Sequence, residues 1–232
     1  MSEEFVYTGK EELDQQQCLP RYNRHIAGQF AQAMQPGQTL LDFGAGIGTI
    51  SALVRDIAQP AKIICVEIDG DNIAVLKQKN FEVLNDAAKC APQSIDVIYS
   101  SNVLEHIEDD VAALKTLYAC LKPNSRAVFW VPAFNCLWTA MDDRVHHHRR
   151  YTRKMLGDAF REAGFTVEKS IYQDSLGFFV TLLFKLIGSK DGTVNSSALK
   201  IYDTIIFPVS KLCDLACSRL FGKNAVIYAR KD

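Results

Sequence analysis

Three glycines at alternating positions are the first residues whose types and spacing indicate chemistry. Gly44, Gly46 and Gly48 follow a short apolar run, and glycine is needed where a backbone turns sharply and approaches a ligand closely. Dinucleotide sites use the spacing G-x-G-x-x-G/A, whereas here the third glycine comes one place early and Thr49 takes the sixth position. Asp42 lies two residues before the first glycine. Its negative charge repels a pyrophosphate but attracts a ligand with a cationic amino-acid end. The turn therefore favours such a ligand over a dinucleotide.

Three further polar sites stand where predicted strands end. Glu67 comes about 20 residues past the glycine turn, where an acidic side chain accepts hydrogen bonds from ribose hydroxyls. Asp86, followed by Ala87, suits an adenine amino group, and Asn102 follows the next strand. Each site alone is also explained by a capping carboxylate, an Asx turn or a helix start. Together with the glycine turn they make four such sites, which follow successive strands at one edge of the sheet, and this arrangement favours a ligand site.

Short β-rich runs alternate with helical stretches, the pattern of a parallel sheet covered by helices. The predicted strands are Thr39–Phe43, Lys62–Glu67, Phe81–Leu84, Ile95–Ser100, Arg126–Val131, Phe165–Tyr172 and Ala225–Ala229. A helix is predicted over Ile107–Leu121, where apolar residues recur at spacings of three and four. Another is predicted over Thr152–Ala163, with a threonine as N-cap and Gly164 just past its end. The pattern predicts an α/β protein.

Four segments, in this order, carry a family resemblance. They are LLDFGAGIG at 40–48, VEID at 66–69, NVLEHIEDD at 102–110 and LKPNSRAVFWVPAF at 121–134. Together they resemble the motifs of class I S-adenosylmethionine-dependent methyltransferases. The resemblance implies a three-layer Rossmann-like fold with a seven-stranded, mostly parallel sheet and an antiparallel last strand. It also implies S-adenosyl-L-methionine as the cofactor.

The resemblance assigns a cofactor role to nine residues of this chain. They are Asp42, Gly44, Ala45, Gly46, Glu67, Ile68, Asp86, Ala87 and Asn102. The glycine turn would line the methionine and ribose portion, with the aspartate that precedes it behind the turn. Glu67 would hold the ribose hydroxyls, Ile68 would pack on the adenine, and Asp86 with Ala87 would face it. Asn102 would border the methionine end.

A basic stretch follows the fifth predicted strand. Arg144–Lys154 carries five fixed positive charges and three adjacent histidines but no acidic residue, and it resembles a methyltransferase subgroup with an H-x-R-R-Y-T motif. One interpretation is a structural loop whose arginines pair with Asp142, Asp143 and other acids. A second is a site for an anionic acceptor, because arginine binds phosphate and carboxylate bidentately. A metal site of the three histidines is disfavoured, since adjacent residues in a strand point to opposite faces. No metal is predicted.

Methyl transfer from a sulfonium requires mainly the alignment of nucleophile, methyl group and sulfur. A hydroxyl acceptor benefits from a general base, and His106, His147 and Tyr151 are the candidates. The predicted function is methylation of a small or lipid-linked acceptor, at oxygen rather than at carbon or nitrogen. Two alternatives are a non-catalytic cofactor-binding partner protein and a nicotinamide-dependent oxidoreductase, which Thr49 disfavours.

Charge and composition narrow the partners. The 232-residue chain has a net charge of −1, but residues 1–140 carry 11 basic and 17 acidic side chains, whereas residues 141–232 carry 15 and 10. This excludes a generally basic protein that coats nucleic acid, and 48% hydrophobic residues suffice for a sizeable core. Seven scattered cysteines without a C-x-x-C pair, and no visible secretory signal, predict a cytoplasmic protein with reduced thiols.

An unusually apolar helical region precedes the last strand. We predict one methyltransferase domain over 1–232, with a cofactor-binding core at 18–172, an apolar insertion at 173–222 and the last strand at 223–232. Leu176–Ile187 is too short to span a bilayer, which takes about 20 residues. One helical face beyond Pro208 is apolar through Val209, Leu212, Leu215, Ala216 and Leu220. Packing on the sheet or on a twin subunit, giving a homodimer, is one interpretation. An apolar lid or membrane-surface element for a lipid-like substrate is the other.

Overall fold

The computed structural model of this chain describes residues 17–187 and 195–232. Its sheet has the strand order β3-β2-β1-β4-β5-β7-β6. The strands are β1 (Thr39–Phe43), β2 (Lys62–Val66), β3 (Glu82–Leu84), β4 (Ile95–Ser101), β5 (Leu121–Pro132), β6 (Thr166–Gln173) and β7 (Asn224–Arg230). β7 is antiparallel to both of its neighbours, and the other six strands run in one direction. The predicted seven-stranded, Rossmann-like α/β fold is confirmed.

Helices cover both faces of this sheet. They are α1 (Pro20–Ala31), α2 (Thr49–Ala58), α3 (Gly70–Gln78), α4 (Asp110–Cys120), α5 (Ala140–Arg144), α6 (Arg153–Glu162), α7 (Ser175–Ile187), α8 (Ser196–Ile201) and α9 (Phe207–Cys217). Neighbouring strand residues point to opposite faces and join different apolar clusters. Leu41 and Phe129 pack with α4 and α6 in one cluster, whereas Leu40 and Trp130 pack with α1 and α2 in the other. Two buried clusters thus separate three layers.

Two predicted boundaries differ from the structure by three residues or more, and several others differ by one residue. Helix α4 begins at Asp110 rather than at Ile107, because the Asp109 side chain caps it by accepting a hydrogen bond from the Ala112 amide at 2.9 Å. Strand β5 begins at Leu121, before the predicted turn, and its register against β4 shifts where Asn124 adopts a positive φ of 61°. The start of β5 lies at the amino edge of the sheet, whereas α4 begins on the carboxyl side, after β4.

The apolar insertion between β6 and β7 consists of α7, α8, a π-helical turn (Tyr202–Ile206) and α9. The polar stretch at 189–197, for which the sequence predicts a loop, lies mostly outside the described residues. Leu212 and Leu215 on α9 are 68% and 86% exposed, so this face does not pack on the sheet of its own chain. Among residues 17–187 and 195–232, no helix is both long and apolar enough to cross a membrane.

Candidate functional site

The glycine loop (Gly44–Gly48) connects the carboxyl end of β1 to α2, and its three glycines have φ between 54° and 77°. A Cβ atom at Gly44 would overlap the side chain of Val103, which follows β4. A Cβ atom at Gly48 would lie only 2.7 Å from the side chain of Leu76 on α3. The loop is therefore held between the end of β4 and α3, and both positions require glycine.

Glu67 fastens this loop to the end of β2. Its Oε2 atom accepts a hydrogen bond from the Gly46 amide at 2.7 Å. Its Oε1 atom accepts hydrogen bonds from the amides of Ile68 and Asp69 at 2.9 and 3.0 Å. The side chain from which we expect ribose recognition thus also sets the shape of the loop.

Asp42 lies behind the loop and is buried. Its carboxylate accepts a hydrogen bond from the Ser51 hydroxyl at 2.5 Å, and the same hydroxyl lies 3.2 Å from that of Tyr99. Burial raises the pKa of Asp42 to about 7, although the hydrogen bonds with Ser51 and Tyr99 work against this increase. Asp42 therefore supports the loop from the sheet side.

The other predicted cofactor residues follow neighbouring strands at the same edge. Ile68 is 59% exposed, as expected of an apolar side chain that is free to contact a flat ligand. Asp86 is exposed and accepts a hydrogen bond from the Ala88 amide at 2.9 Å, while Ala87 is buried. Asn102 is exposed and has a positive φ of 54°. Loop, carboxylate and apolar surface thus share the carboxyl edge, where open α/β sheets bind ligands.

A family model described as a methyltransferase domain matches residues 15–170, about two thirds of the chain. This chain belongs to that methyltransferase family. The predicted resemblance to class I S-adenosylmethionine-dependent methyltransferases, with the enzyme class and cofactor it implies, is confirmed at the level of the family. The comparisons do not show the H-x-R-R-Y-T subgroup.

Similar proteins cover several kinds of methyltransferase. Cycloartenol-C-24-methyltransferase of Arabidopsis thaliana is 26% identical over 68% of this chain and 54% of its own length. Malonyl-[acyl-carrier protein] O-methyltransferase of Marinomonas sp. is 22% identical over 55% of this chain and 53% of its own length. The chain thus spans about half the length of these relatives.

Among solved structures, phosphoethanolamine N-methyltransferase 2 of Haemonchus contortus in complex with S-adenosyl-L-methionine has a TM-score of 0.60. It is 19% identical, and the match covers 90% of this chain and 52% of that one. This likeness shows the shared fold.

Asp142 on α5 is a fully buried carboxylate whose side-chain partners are Arg150, His147 and Thr139. Arg150 donates to both of its oxygens, from Nε at 2.7 Å and from Nη2 at 2.8 Å. His147 approaches through Nδ1 at 2.7 Å. Burial opposes the charge, but the hydrogen bonds from His147 and Arg150 prevail and hold the pKa of Asp142 well below its usual range. His147 is therefore oriented by an ionised carboxylate.

His106 and Glu105 meet His147 from the segment after β4. The rings of His106 and His147 lie 4.5 Å apart, and Nδ1 of His106 lies 2.9 Å from the carbonyl oxygen of Val145. Burial and the neighbouring His147 lower the pKa of His106 to about 4, so its ring is neutral at pH 7, and the carbonyl fixes the proton on Nδ1. Glu105 is fully buried, and burial raises its pKa to about 8. One ligand atom from each of the three lies within 4.8 Å of the others, so the group could hold a metal ion.

The third catalytic candidate, Tyr151, has a different environment. Its buried hydroxyl donates a hydrogen bond to Asp110 at 2.7 Å, and Arg149 pairs with the same carboxylate at 2.8 Å. Burial raises the pKa of Tyr151 above its usual value. The structure thus brings His106 and His147 together and ties the tyrosine to α4.

The basic stretch is largely occupied by contacts within the chain. Arg149 and Arg150 form ion pairs with acids, and Lys154 pairs with Asp158 at 2.6 Å. These contacts favour the structural interpretation of the stretch over an anion site. The side chains of His146 and His148 are exposed on either side of the inward-facing His147, so the three adjacent histidines do not converge.

Sequence reasoning missed Glu105, Asp142 and Arg150 as parts of the site. Glu105 lies within the segment 102–110, Arg150 lies within the basic stretch, and Asp142 is predicted only as a partner of the arginines. None of the three has a signal that distinguishes an ion pair within the chain from a ligand contact. The acidic residue directly before His106, at the end of a strand, was the one local indication. The partnership with His147 joins segments about 40 residues apart and required the fold.

Proposed function

We propose that this chain methylates an oxygen atom of a lipid-linked acceptor at the cytoplasmic surface of a membrane. S-adenosylmethionine supplies a sulfonium methyl group: the carbon–sulfur bond breaks, a carbon–oxygen bond forms, the electron pair stays on sulfur, and the acceptor hydroxyl gives up its proton. The glycine loop and Glu67 position this cofactor. Glu105, His106 and His147, at the same sheet edge, receive the acceptor hydroxyl.

The preference for oxygen rests on this polar group. A hydroxyl is a weak nucleophile until its proton is removed, so it requires polar side chains with free lone pairs beside it. His106 and His147 have their Nδ1 atoms engaged, which leaves both Nε2 atoms free for this purpose. Tyr151 is a positioning residue in this proposal, because its hydroxyl is already bound to Asp110. Among the relatives, the malonyl-[acyl-carrier protein] enzyme is named an O-methyltransferase.

The proposal that the acceptor is lipid-linked rests mainly on helix α9, whose polar side faces the protein and whose apolar side faces solvent. On α9 the polar side chains of Ser210 and Asp214 are buried, whereas Leu212 and Leu215 face solvent. Asp214 accepts hydrogen bonds from the amides of residues 174 and 175, both at 2.8 Å. The helix is thus fixed with its polar side inward and its apolar side outward. An apolar face held outward in this way fits an apolar partner.

The exposed apolar surface extends over the neighbouring helices of the insertion. It is formed by Phe179, Leu183, Leu186, Ile201, Ile205, Val209, Leu212, Leu215 and Leu220, which we call the apolar face. α7 continues this face towards the site, since Phe178 packs against Phe134, which follows β5, with ring centroids 5.7 Å apart. The apolar face is therefore continuous with the segment that leads to the histidines.

The charges around the apolar face favour an anionic lipid surface. In the described part of the insertion at 173–222, all three acidic side chains, Asp174, Asp203 and Asp214, are buried, while the lysines and the arginine there are exposed. Beside α9, a cleft of about 660 Å³ is lined by Arg21, Arg24 and Lys211 together with one histidine, two glutamines, one glycine and three apolar residues of α9. Basic side chains next to an apolar face are the pattern of helices that lie in the interface of anionic membranes.

Methyl transfer itself is tested with S-adenosylmethionine carrying a radioactive methyl group and vesicles made from a total lipid extract. We expect label in the organic phase, and we expect hydriodic acid to release it as iodomethane, which distinguishes O-methyl from C-methyl products. A reaction without vesicles is the control. Label confined to the aqueous phase would contradict the lipid class, and no transfer to any fraction would contradict the activity.

The membrane contact is tested with the double variant Leu212→Ser/Leu215→Ser. The wild-type chain is expected to co-sediment with phosphatidylglycerol vesicles, and the variant is expected to bind at least about tenfold more weakly, since each buried leucine contributes about 1.5–3 kcal/mol. Met155→Ser removes an exposed apolar side chain from α6 and is the matched control, with binding unchanged. If the wild-type chain forms a dimer and does not bind vesicles, a second copy of the chain covers the apolar face instead.

A further inference from the structure

Glu105 poses a physical problem that the contacts within the chain do not solve. Its side chain has no exposed surface, and within the described residues neither carboxylate oxygen accepts a hydrogen bond. A buried carboxylate without a partner is costly, and such groups are ordinarily paired or bound to a metal. The nearest cationic or polar candidate is His147, whose Nε2 atom lies 3.8 Å from Oε1 of Glu105, beyond hydrogen-bond distance. The space between these atoms suits a small cation.

The two histidines beside Glu105 have the outer contacts that metal-binding histidines have. Such histidines donate their second ring nitrogen to a carboxylate or a backbone carbonyl, which fixes the tautomer and the ring orientation. His147 does so with Asp142 at 2.7 Å, and His106 does so with the carbonyl of Val145 at 2.9 Å. Both Nε2 atoms therefore carry a free lone pair. The side chain of His147 is only 7% exposed, so it is held inside the cluster rather than in solvent.

We propose that Glu105, His106 and His147 form a binding site for one divalent transition-metal ion, of which Zn²⁺ is the type. Two imidazoles and one carboxylate are a donor set of catalytic zinc and non-haem iron sites and are unsuited to Mg²⁺ or Ca²⁺, which prefer oxygen ligands. A tetrahedral ion with bonds of about 2.0–2.1 Å holds its ligand atoms roughly 3.4 Å apart. The observed 3.8 Å between Glu105 and His147 closes to that value through a small side-chain rotation.

Three protein ligands leave a further position open to an oxygen of the acceptor. Only this role rests on the proposed function: the cation orients the hydroxyl that is to be methylated and makes its proton easier to remove. Since both Nε2 atoms are then metal ligands, the proton passes to solvent water instead of to a histidine. Metal binding itself rests on geometry alone. It joins the end of β4 to the loop after α5, two segments that the sequence gives no reason to connect.

The test measures metal binding and methyl transfer separately. We expect calorimetric titration of the metal-free chain with Zn²⁺ to show one tight site, and Co²⁺ to give the visible absorption of a four- or five-coordinate ion with histidine ligands. Loss of a residue that hydrogen-bonds to a metal ligand weakens metal binding by about 10- to 100-fold. His106→Gln and His147→Gln remove the ligand itself, so each is expected to weaken Zn²⁺ binding by at least as much. His148→Ala removes an adjacent, exposed histidine and is expected to leave affinity unchanged.

Folding is checked for every variant by its melting temperature and its affinity for S-adenosylhomocysteine. Equal Zn²⁺ affinity of the wild-type chain and both glutamine variants would overturn the site. So would binding that disappears only with Cys136→Ser, since that cysteine is an exposed thiol. If the chain binds the metal but transfers no methyl group with or without it, the site stands and the proposed function fails. If transfer survives complete chelation, the proposed function stands and the catalytic role of the cation fails.

Discussion

The Glu67→Ala variant is expected to bind S-adenosylhomocysteine about 100-fold more weakly than the wild-type chain. Hydrogen bonds to a charged acceptor contribute about 1.5–3 kcal/mol each, and the variant removes the acceptor expected to hold the ribose hydroxyls. It also leaves the Gly46 amide, now bound at 2.7 Å, without its partner, so the glycine loop is no longer fixed. A combined loss of about 3 kcal/mol corresponds to roughly two orders of magnitude in affinity, which isothermal titration calorimetry resolves.

Glu82→Ala is the matched control for this experiment. Glu82 begins the neighbouring strand β3, and its half-exposed side chain pairs with Lys62 at 2.6 Å, so its removal is expected to leave cofactor affinity unchanged. The melting temperature of the ligand-free Glu67→Ala variant separates loss of binding from loss of folding. A folded variant with wild-type affinity would show that the ribose is held elsewhere.

The glycine loop and Glu67, where we expect the cofactor, could be predicted from sequence for a physical reason. Gly44 and Gly48 need positive φ and close contacts with Val103 and Leu76, so their residue type is dictated by backbone geometry that one short segment encodes. Glu67 stands at the end of a strand whose apolar run is equally local. Sheet order then follows from the family pattern and brings these local signals to one edge.

The cluster of Glu105, His106 and His147 was harder to predict from sequence, because it is formed by contacts between distant segments. His147 was a candidate base among three adjacent histidines, and nothing local showed that it alone faces inward. Its partners Asp142 and Glu105 come from two different segments. Burial converts these ordinary polar residues into a cluster, and burial is a property of the fold.

The insertion shows the same limit in another form. Its apolar periodicity predicts one apolar helical face beyond Pro208, but periodicity cannot tell which side of a helix faces the protein. On α9 the side with Ser210 and Asp214 faces inward because Asp214 caps the backbone where α7 begins. A few buried hydrogen bonds therefore outweigh the tendency of leucines to turn inward, and the apolar side is left for a partner.

Arg150→Met is expected to lower the free energy of unfolding by about 3–5 kcal/mol, since it leaves Asp142 as a buried carboxylate without its cationic partner. For a chain of this size that corresponds to a fall in melting temperature of roughly 6–20 °C. Urea denaturation and calorimetry measure the two quantities. Lys154→Met breaks an exposed pair with Asp158 and is the control, with an expected change below about 0.5 kcal/mol.

A second substitution distinguishes the unpaired charge from lost packing. In Asp142→Asn/Arg150→Met no charge is left buried, and the asparagine oxygen still accepts from Nδ1 of His147, so most of the lost stability is expected to return. Equal destabilisation in the single and double variants would mean that packing of the arginine, rather than charge pairing, is what counts. Because Arg150 holds the carboxylate that orients His147, the Arg150→Met variant is expected to keep its cofactor affinity while its methyl-transfer rate falls. The buried ion pair of Asp142 and Arg150 would then have two roles: it would stabilise the loop after α5, and it would hold His147 in the orientation that methyl transfer requires.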